Sequence, residues 1–257
     1  MTAPTLTVSG ATATPDLSDL RLGLVCPMAN EAATAVRFVD AVLSECERQA
    51  VGAVTLFAIL DTASSDSTKD RLESHALGEP RLRVVWAPET RGVADAYVRG
   101  YREALTADCD WILEIDAGFS HDPGEIGRFL AAMAAGNDCV FGSRFQPGGR
   151  NRASWRRRVI SRGGTALTNL LLGTTLSDMT SGYQMFTRGA LEHVLEKGII
   201  AKGPFFQTEI KTHCRTLRVA EIPIQYDAGS HRVRTRAITE SLVTLARLFL
   251  ARLHRDL

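Results

Sequence analysis

The sequence predicts an α/β fold with a mostly parallel central sheet and helices on both faces. Three observations carry this. Short apolar runs alternate with segments of helical periodicity through the first 143 residues. Polar, turn-forming stretches follow the apolar runs, as ligand-bearing loops do at the carboxyl edge of an open sheet. At 257 residues with 45% hydrophobic content, the chain is long enough for one domain with a sizeable core.

Strands are expected at 22–26 (LGLVC), 53–60 (AVTLFAIL), 82–86 (LRVVW), 111–115 (WILEI) and 139–142 (CVFG). The spacing predicts helices over 31–49, 67–76, 93–106 and 124–135. Runs of apolar residues this short, separated by helices, fit buried parallel strands. After residue 143 the pattern changes. A Gly- and Arg-rich loop (GSRFQPGGRNR) leads to a helix over 156–172, then a turn (LSDMTSGYQMF) and a helix over 206–216. A strand over 218–225 and a terminal helix over 237–253 follow. No repeat or linker is visible. One domain is therefore expected over 21–236, after a disordered Thr/Ala/Ser/Pro-rich tail at 1–20 and before a C-terminal amphipathic helix within 237–257.

The formal net charge is only +1, but it is unevenly spread. Residues 1–143 hold 11 Lys/Arg against 21 Asp/Glu, and residues 144–257 hold 19 against 8. An acidic half followed by a basic half, the latter rich in Arg, suits a metal or sugar site facing an anion site. No nucleic-acid partner is expected. Five cysteines without a Cys-x-x-Cys pair fit reduced thiols in the cytoplasm, not a disulfide framework. The start of the chain lacks the features of a signal peptide, and no apolar run is long enough to span a membrane. The last helix carries Ile238, Leu242, Leu245, Phe249 and Leu253 on one stripe, flanked by Arg247, Arg252 and Arg255. Such a stripe fits packing on its own domain or peripheral contact with the inner face of the membrane.

Four polar loops follow the first four strands: Pro27–Glu31, Asp61–Thr68, Arg91–Ala96, and Asp116 with Ser120 and His121. Together they define one ligand edge. Asn30, Asp66 and Ser67 also suit helix capping. Asp116 ends the fourth apolar run, and Gly118 stands where a second carboxylate would complete an Asp-x-Asp clamp for a metal.

The order P-x-x-N-E, D-x-x-S-x-D-x-T, G-x-x-x-A, D-A-x-x-S-H-x-P, G-S-R and D-x-T-S-G resembles family-2 glycosyltransferases of the GT-A (Rossmann-like) fold. It is most similar to the dolichol- and polyprenyl-phosphate sugar synthases, over roughly residues 21–236. The resemblance implies a UDP- or GDP-linked sugar donor, a divalent cation (Mg²⁺ or Mn²⁺) and inversion at the anomeric carbon. Pro27, Asn30, Glu31, Asp61 and Asp66 would then hold the nucleotide, with Gly92, Asp95, Asp116 and Ala117 completing the donor side. Gln207 and Glu209 would bond sugar hydroxyls, although a helix-start Glu also favours the helix dipole. Asp116 and Ser120 would ligate the metal, weakly because Gly118 lacks a carboxylate, and Gly118→Asp is expected to tighten it.

Arg144, Arg157 and Ser161 fall in the region that binds the acceptor phosphate in the family. Arg157 and Ser161 are one helical turn apart and share a face. Asp178 lies in the second signature, and His231, Arg232 and Arg234 replace the family's last Lys-containing loop. The expected reaction transfers a sugar to a polyprenyl phosphate, with Asp116, Arg144, Arg157 and Ser161 as its catalytic residues. The alternatives are a small hydroxyl acceptor, which needs Asp178, Glu209 or His231 as base, and a binding protein without turnover.

Overall fold

The computed structural model of the chain describes residues 16–227 and 235–254, the side chains of 235–238 excepted. Its first half is the expected alternation. Strands β1 (Arg21–Pro27), β2 (Ala53–Leu60), β3 (Leu82–Trp86) and β4 (Trp111–Glu114) alternate with helices α1 (Ala35–Arg48), α2 (Thr68–Ala76) and α3 (Val93–Thr106). A 3₁₀ turn (Pro123–Glu125), α4 (Ile126–Ala134) and β5 (Cys139–Ser143) follow, and a second 3₁₀ turn spans Cys214–Thr216. The second half holds β6 (Arg150–Asn151), α5 (Trp155–Leu172), β7 (Gln184–Thr187), α6 (Arg188–Lys197), α7 (Phe206–His213), β8 (Val219–Pro223), β9 (Gln225–Tyr226) and α8 (Thr235–Leu253).

The seven-stranded sheet runs β3-β2-β1-β4-β7-β5-β8. All its pairings are parallel except those of β7, which is antiparallel to both β4 and β5. Helices cover both faces. Phe38, Val42, Phe129 and Leu130 from α1 and α4 pack on one side, and Tyr97, Tyr101, Leu191 and Phe206 from α3, α6 and α7 pack on the other. The strands are buried on both faces, which is why they read as continuous apolar runs.

Several expectations are corrected. The segment read as a turn contains β7, whose four residues are too few to show a period. α6 was missed, although Thr187 caps it by accepting from the Ala190 amide at 3.2 Å and Ala190, Leu191 and Val194 have helical spacing. Within the stretch expected to be a disordered tail, Leu17 is buried and its carbonyl accepts from the Gly52 amide at 2.8 Å. The terminal helix is not a separate element. Leu245 and Leu248 of α8 pack on Leu172 of α5, and the Arg252 guanidinium donates to the Leu171 carbonyl at 2.7 Å.

Candidate active site

The strand order reverses between β1 and β4, so the loops after these two strands flank the crevice where open α/β sheets bind ligands. Those loops carry Asn30 and Glu31 on one side and Asp116 on the other.

The first three loops are stitched together. Asn30 has a left-handed backbone (φ 59°) and lies well before α1, so it does not cap that helix. Its side chain donates to the Ala63 carbonyl at 2.9 Å and accepts from the Ser65 amide at 3.0 Å. Asp66 accepts from the Ala32 amide at 3.1 Å and from Thr68 at 2.5 Å, bonds that hold its carboxyl below the usual range. Asp61 joins the second loop to the third, accepting from the Ala63 amide at 2.8 Å and the Thr90 hydroxyl at 3.0 Å. Asp95 accepts from the Arg91 amide at 3.0 Å and the Lys202 ammonium at 3.1 Å beside exposed Gly92. These bonds link the loops that follow β1, β2 and β3 at one edge of the sheet, with Pro27 at the end of β1.

Asp116 is oriented from two sides. The Tyr97 hydroxyl donates to its Oδ1 at 2.6 Å. Its own amide donates to His121 Nδ1 at 3.3 Å. With Nδ1 accepting, the His121 ring is neutral and carries its proton on Nε2. Burial favours that form and holds the ring below the usual histidine range against the pull of Asp116. His121 stacks on Tyr183 with centroids 4.8 Å apart. The Asp116 side chain keeps 38% exposure just past the end of β4, so it remains open to a ligand. Ala117 and Ser120 are half-buried in the same loop, where the Ser120 hydroxyl reaches the Ala117 carbonyl at 3.5 Å.

The expectation that Gly118→Asp tightens a metal site meets a geometric obstacle. Gly118 has φ +75°, and a Cβ there would lie 3.0 Å from both carboxylate oxygens of Glu31. The space is filled by an existing carboxylate, so a second one would meet steric and like-charge repulsion.

On the other side of the cleft, the Arg144 guanidinium forks onto Asp178, with Nε to Oδ2 at 2.7 Å and Nη2 to Oδ1 at 2.8 Å. It also reaches Thr180 Oγ1 at 2.5 Å. Burial pushes the Asp178 carboxyl up, but Arg144 and Lys211 outweigh it and hold it at about 2. Lys211 is buried and donates to the Asp178 and Ser181 carbonyls at 2.7 and 2.9 Å, so it supports this turn from beneath. Arg157 and Ser161 are half-buried, whereas Arg156, Arg158 and Arg162 are exposed. Arg157 donates to the Tyr226 hydroxyl at 3.4 Å. A cavity of about 430 Å³ opens between Arg144, Arg158 and Arg162 and the apolar surfaces of Phe145, Trp155 and Val159.

Three residues expected to contact ligand make internal bonds instead. Asp178 is fully buried against Arg144 and acts as its anchor, not as an acceptor contact. Glu209 is fully buried too, accepting from the Ile200 and Ala201 amides at 2.9 and 2.8 Å, so it secures a loop and bonds no sugar hydroxyl. Gln207 donates to buried Glu114 at 3.3 Å and packs against the Gly182 turn. His231, Arg232 and Arg234 lie outside the described residues. Sequence reasoning missed Tyr97, Glu114 and Lys211. Glu114 is pushed up to about 8 by burial, though Tyr101 and Gln207 bond it. Its place two residues before Asp116 was the only local signal.

Residues 24–195 match the family described as Glycosyl transferase family 2. The chain is 31% identical over 200 residues to the undecaprenyl-phosphate mannosyltransferase of Micrococcus luteus, covering 75% of this chain and 82% of that one. It is 31% identical over 195 residues to the polyprenol monophosphomannose synthase of Mycolicibacterium smegmatis, covering 73% and 74%. Its fold is similar to glucosyl-3-phosphoglycerate synthase of Mycobacterium tuberculosis in complex with UDP, with a TM-score of 0.66, 19% identity, and coverage of 97% and 86%. The same enzyme in complex with Mn²⁺, UDP-glucose and phosphoglyceric acid also has a TM-score of 0.66 at 19% identity, covering 94% and 85%.

Proposed function

The chain belongs to glycosyl transferase family 2 and is a nucleotide-sugar-dependent glycosyltransferase of GT-A fold, and we propose that it transfers its sugar to a polyprenyl phosphate at a membrane surface. The observation that carries this reading is the arginine-walled cavity with an apolar lip. Arginines suit the phosphate, and Trp155, Val159 and Phe145 suit the first isoprene units.

Chemistry at the site agrees. A hydroxyl acceptor needs a base, and two of the three candidates, Asp178 and Glu209, are sealed and committed to other bonds, while His231 lies outside the described residues. A phosphate oxygen is already an anion. It attacks the anomeric carbon as the bond to the nucleoside diphosphate breaks and the electron pair leaves on that diphosphate, inverting the centre. The arginines position the acceptor, and the loops after β1 to β4 hold the donor.

A divalent cation fits the donor side, as in the neighbour that binds Mn²⁺ with UDP-glucose. Among the described residues no three His, Cys, Asp or Glu side chains form a metal cage. Partly exposed Asp116 with donor diphosphate oxygens and water suits Mg²⁺ or Mn²⁺, which accept few protein ligands when a phosphate supplies the rest. When bound, the ion stabilises charge on the leaving diphosphate.

The surface supports a lipid acceptor. Of thirteen exposed large apolar side chains among the described residues, nine lie on α5 and α8, Trp155, Val159, Leu170, Leu242, Leu250 and Leu253 among them. Exposed Arg156, Arg158 and Arg162 border them, the pattern of a peripheral contact with anionic lipid. No described helix is long and apolar enough to cross a membrane.

The test is transfer from radiolabelled UDP- and GDP-sugars to a polyprenyl phosphate in detergent. Label extracted into organic solvent supports the reading. Label confined to a water-soluble glycoside with a small hydroxyl acceptor overturns it.

A further inference from the structure

We propose that Glu31 supplies the carboxylate missing from the Asp-x-Gly sequence at 116–118, so that Glu31 and Asp116 together face the divalent cation. This rests on the reading of the site as cation-dependent.

The geometry is specific. β1 and β4 are neighbours in the sheet, with Val25 opposite Glu114, so the chain leaving each strand enters the same crevice side by side. Asp116 follows β4 and Glu31 follows β1. A side chain at 118 would begin 3.0 Å from Oε1 and Oε2 of Glu31. The Glu31 carboxylate thus lies where the second acid of an Asp-x-Asp clamp would project.

The local backbone is built for this approach. Gly118 and Phe119 are both left-handed, at φ +75° and +61°. For a bulky residue that conformation is strained and persists only where its surroundings impose it. The imposing contacts come from α1. Phe38 meets the Phe119 ring edge-on with centroids 5.2 Å apart, and the Arg37 guanidinium lies 5.0 Å from its centre. α1 follows the Glu31 loop directly, so one helix presses the Asp116 loop against the Glu31 loop. A side chain at 118 would press on the Glu31 carboxylate, and the positive φ favours glycine there.

The carboxylates are also oriented by neutral groups. The Thr34 hydroxyl donates to Glu31 Oε2 at 2.5 Å, and the Tyr97 hydroxyl donates to Asp116 Oδ1 at 2.6 Å. Such bonds fix direction without neutralising charge, which remains for a cation. Burial pushes the Cys26 thiol up, and the Asp116 and Glu31 charges add to that rise, as expected if they flank the same strand end.

The experiment compares wild type, Glu31→Gln and Gly118→Asp. Mn²⁺ affinity is read by electron paramagnetic resonance of the free ion, with saturating UDP and, separately, GDP. Nucleotide affinity is measured again by calorimetry in EDTA, and ligand-free Tm checks the fold. Glu31→Gln is expected to weaken Mn²⁺ binding by about tenfold or more, because one charged ligand is lost, and by a clearly larger factor than it weakens metal-free nucleotide binding, while Tm holds. Gly118→Asp is expected not to tighten Mn²⁺ binding. The proposal is overturned if Glu31→Gln binds Mn²⁺ as wild type does. It is also overturned if Glu31→Gln loses metal-free nucleotide affinity by the same factor, or if Gly118→Asp tightens the ion. Wild type that binds no Mn²⁺ with either nucleotide would instead remove the cation-dependent reading itself.

Discussion

Arg144 and Asp178 form a two-pronged ion pair almost sealed from solvent, with side chains 4% and 0% exposed. The pair sets where the Arg144 guanidinium stands in the wall of the arginine-lined cavity. Removing the acid leaves a buried cation without its partner. Asp178→Ala is therefore expected to lose about 3–5 kcal/mol in urea unfolding. The pair also sets an acid limb of stability. The folded carboxyl, at about 2, lies below the unfolded value of about 3.9. Its contribution is thus complete above pH 4 or so and is lost as pH falls toward 2. Asp178→Ala should lack this limb in an acid titration.

Asp116 remains open to a ligand and is oriented by Tyr97 and His121. Asp116→Ala is expected to abolish transfer while thermal unfolding stays near that of wild type. Tyr97→Phe keeps the carboxylate but frees its direction, so it should lower kcat without removing activity. Near-normal kcat in Asp116→Ala would refute the assignment, and full activity after thorough chelation would refute a need for metal.

Arg157 and Ser161 share the half-buried side of α5, one turn apart, on the same helix as Arg158 and Arg162, which line the arginine-walled cavity. Loss of a charge-assisted bond to phosphate by Arg157→Ala should cost about 2–3 kcal/mol of acceptor binding. The check is steady-state kinetics with each substrate varied in turn. Acceptor KM should rise and nucleotide-sugar KM should hold.

Glu125 is buried behind the Asp116 loop, where it accepts from the Gln225 amide at 2.8 Å. Burial pushes its carboxyl up to about 7. A raised folded value means stability is complete below the unfolded value, near 4.5, and declines as pH rises through about 7. Glu125→Gln should flatten the fall in Tm over that interval. An unchanged slope would show that another group causes it.

The apolar face of α5 and α8 is expected to hold the protein on lipid. Leu170→Glu with Leu250→Glu should release it from anionic vesicles in a flotation assay, with little change in Tm because both side chains are exposed. Vesicle binding equal to that of wild type would contradict the surface assignment.

The sequence by itself determined the α/β alternation, the loops that make the ligand edge, the place of Asp116 and the family. These follow from periodicity, turn composition and motif order, which are local properties. It also showed the stripe on α8 but not its division. Tertiary structure decided that Leu245 packs on α5 while Leu242 and Leu253 stay exposed. Packing likewise turned Asp178 and Glu209 from expected ligand contacts into internal supports, because a carboxylate carries no local sign of whether its partner will be protein or substrate. β7 escaped notice because its pairing on both sides, not any period of its own, makes it a strand. Glu31 and Gly118 are far apart in sequence, and only the adjacency of β1 and β4 brings them together. What the chain spells out is conformation over a few residues; which distant side chains share one space depends on packing.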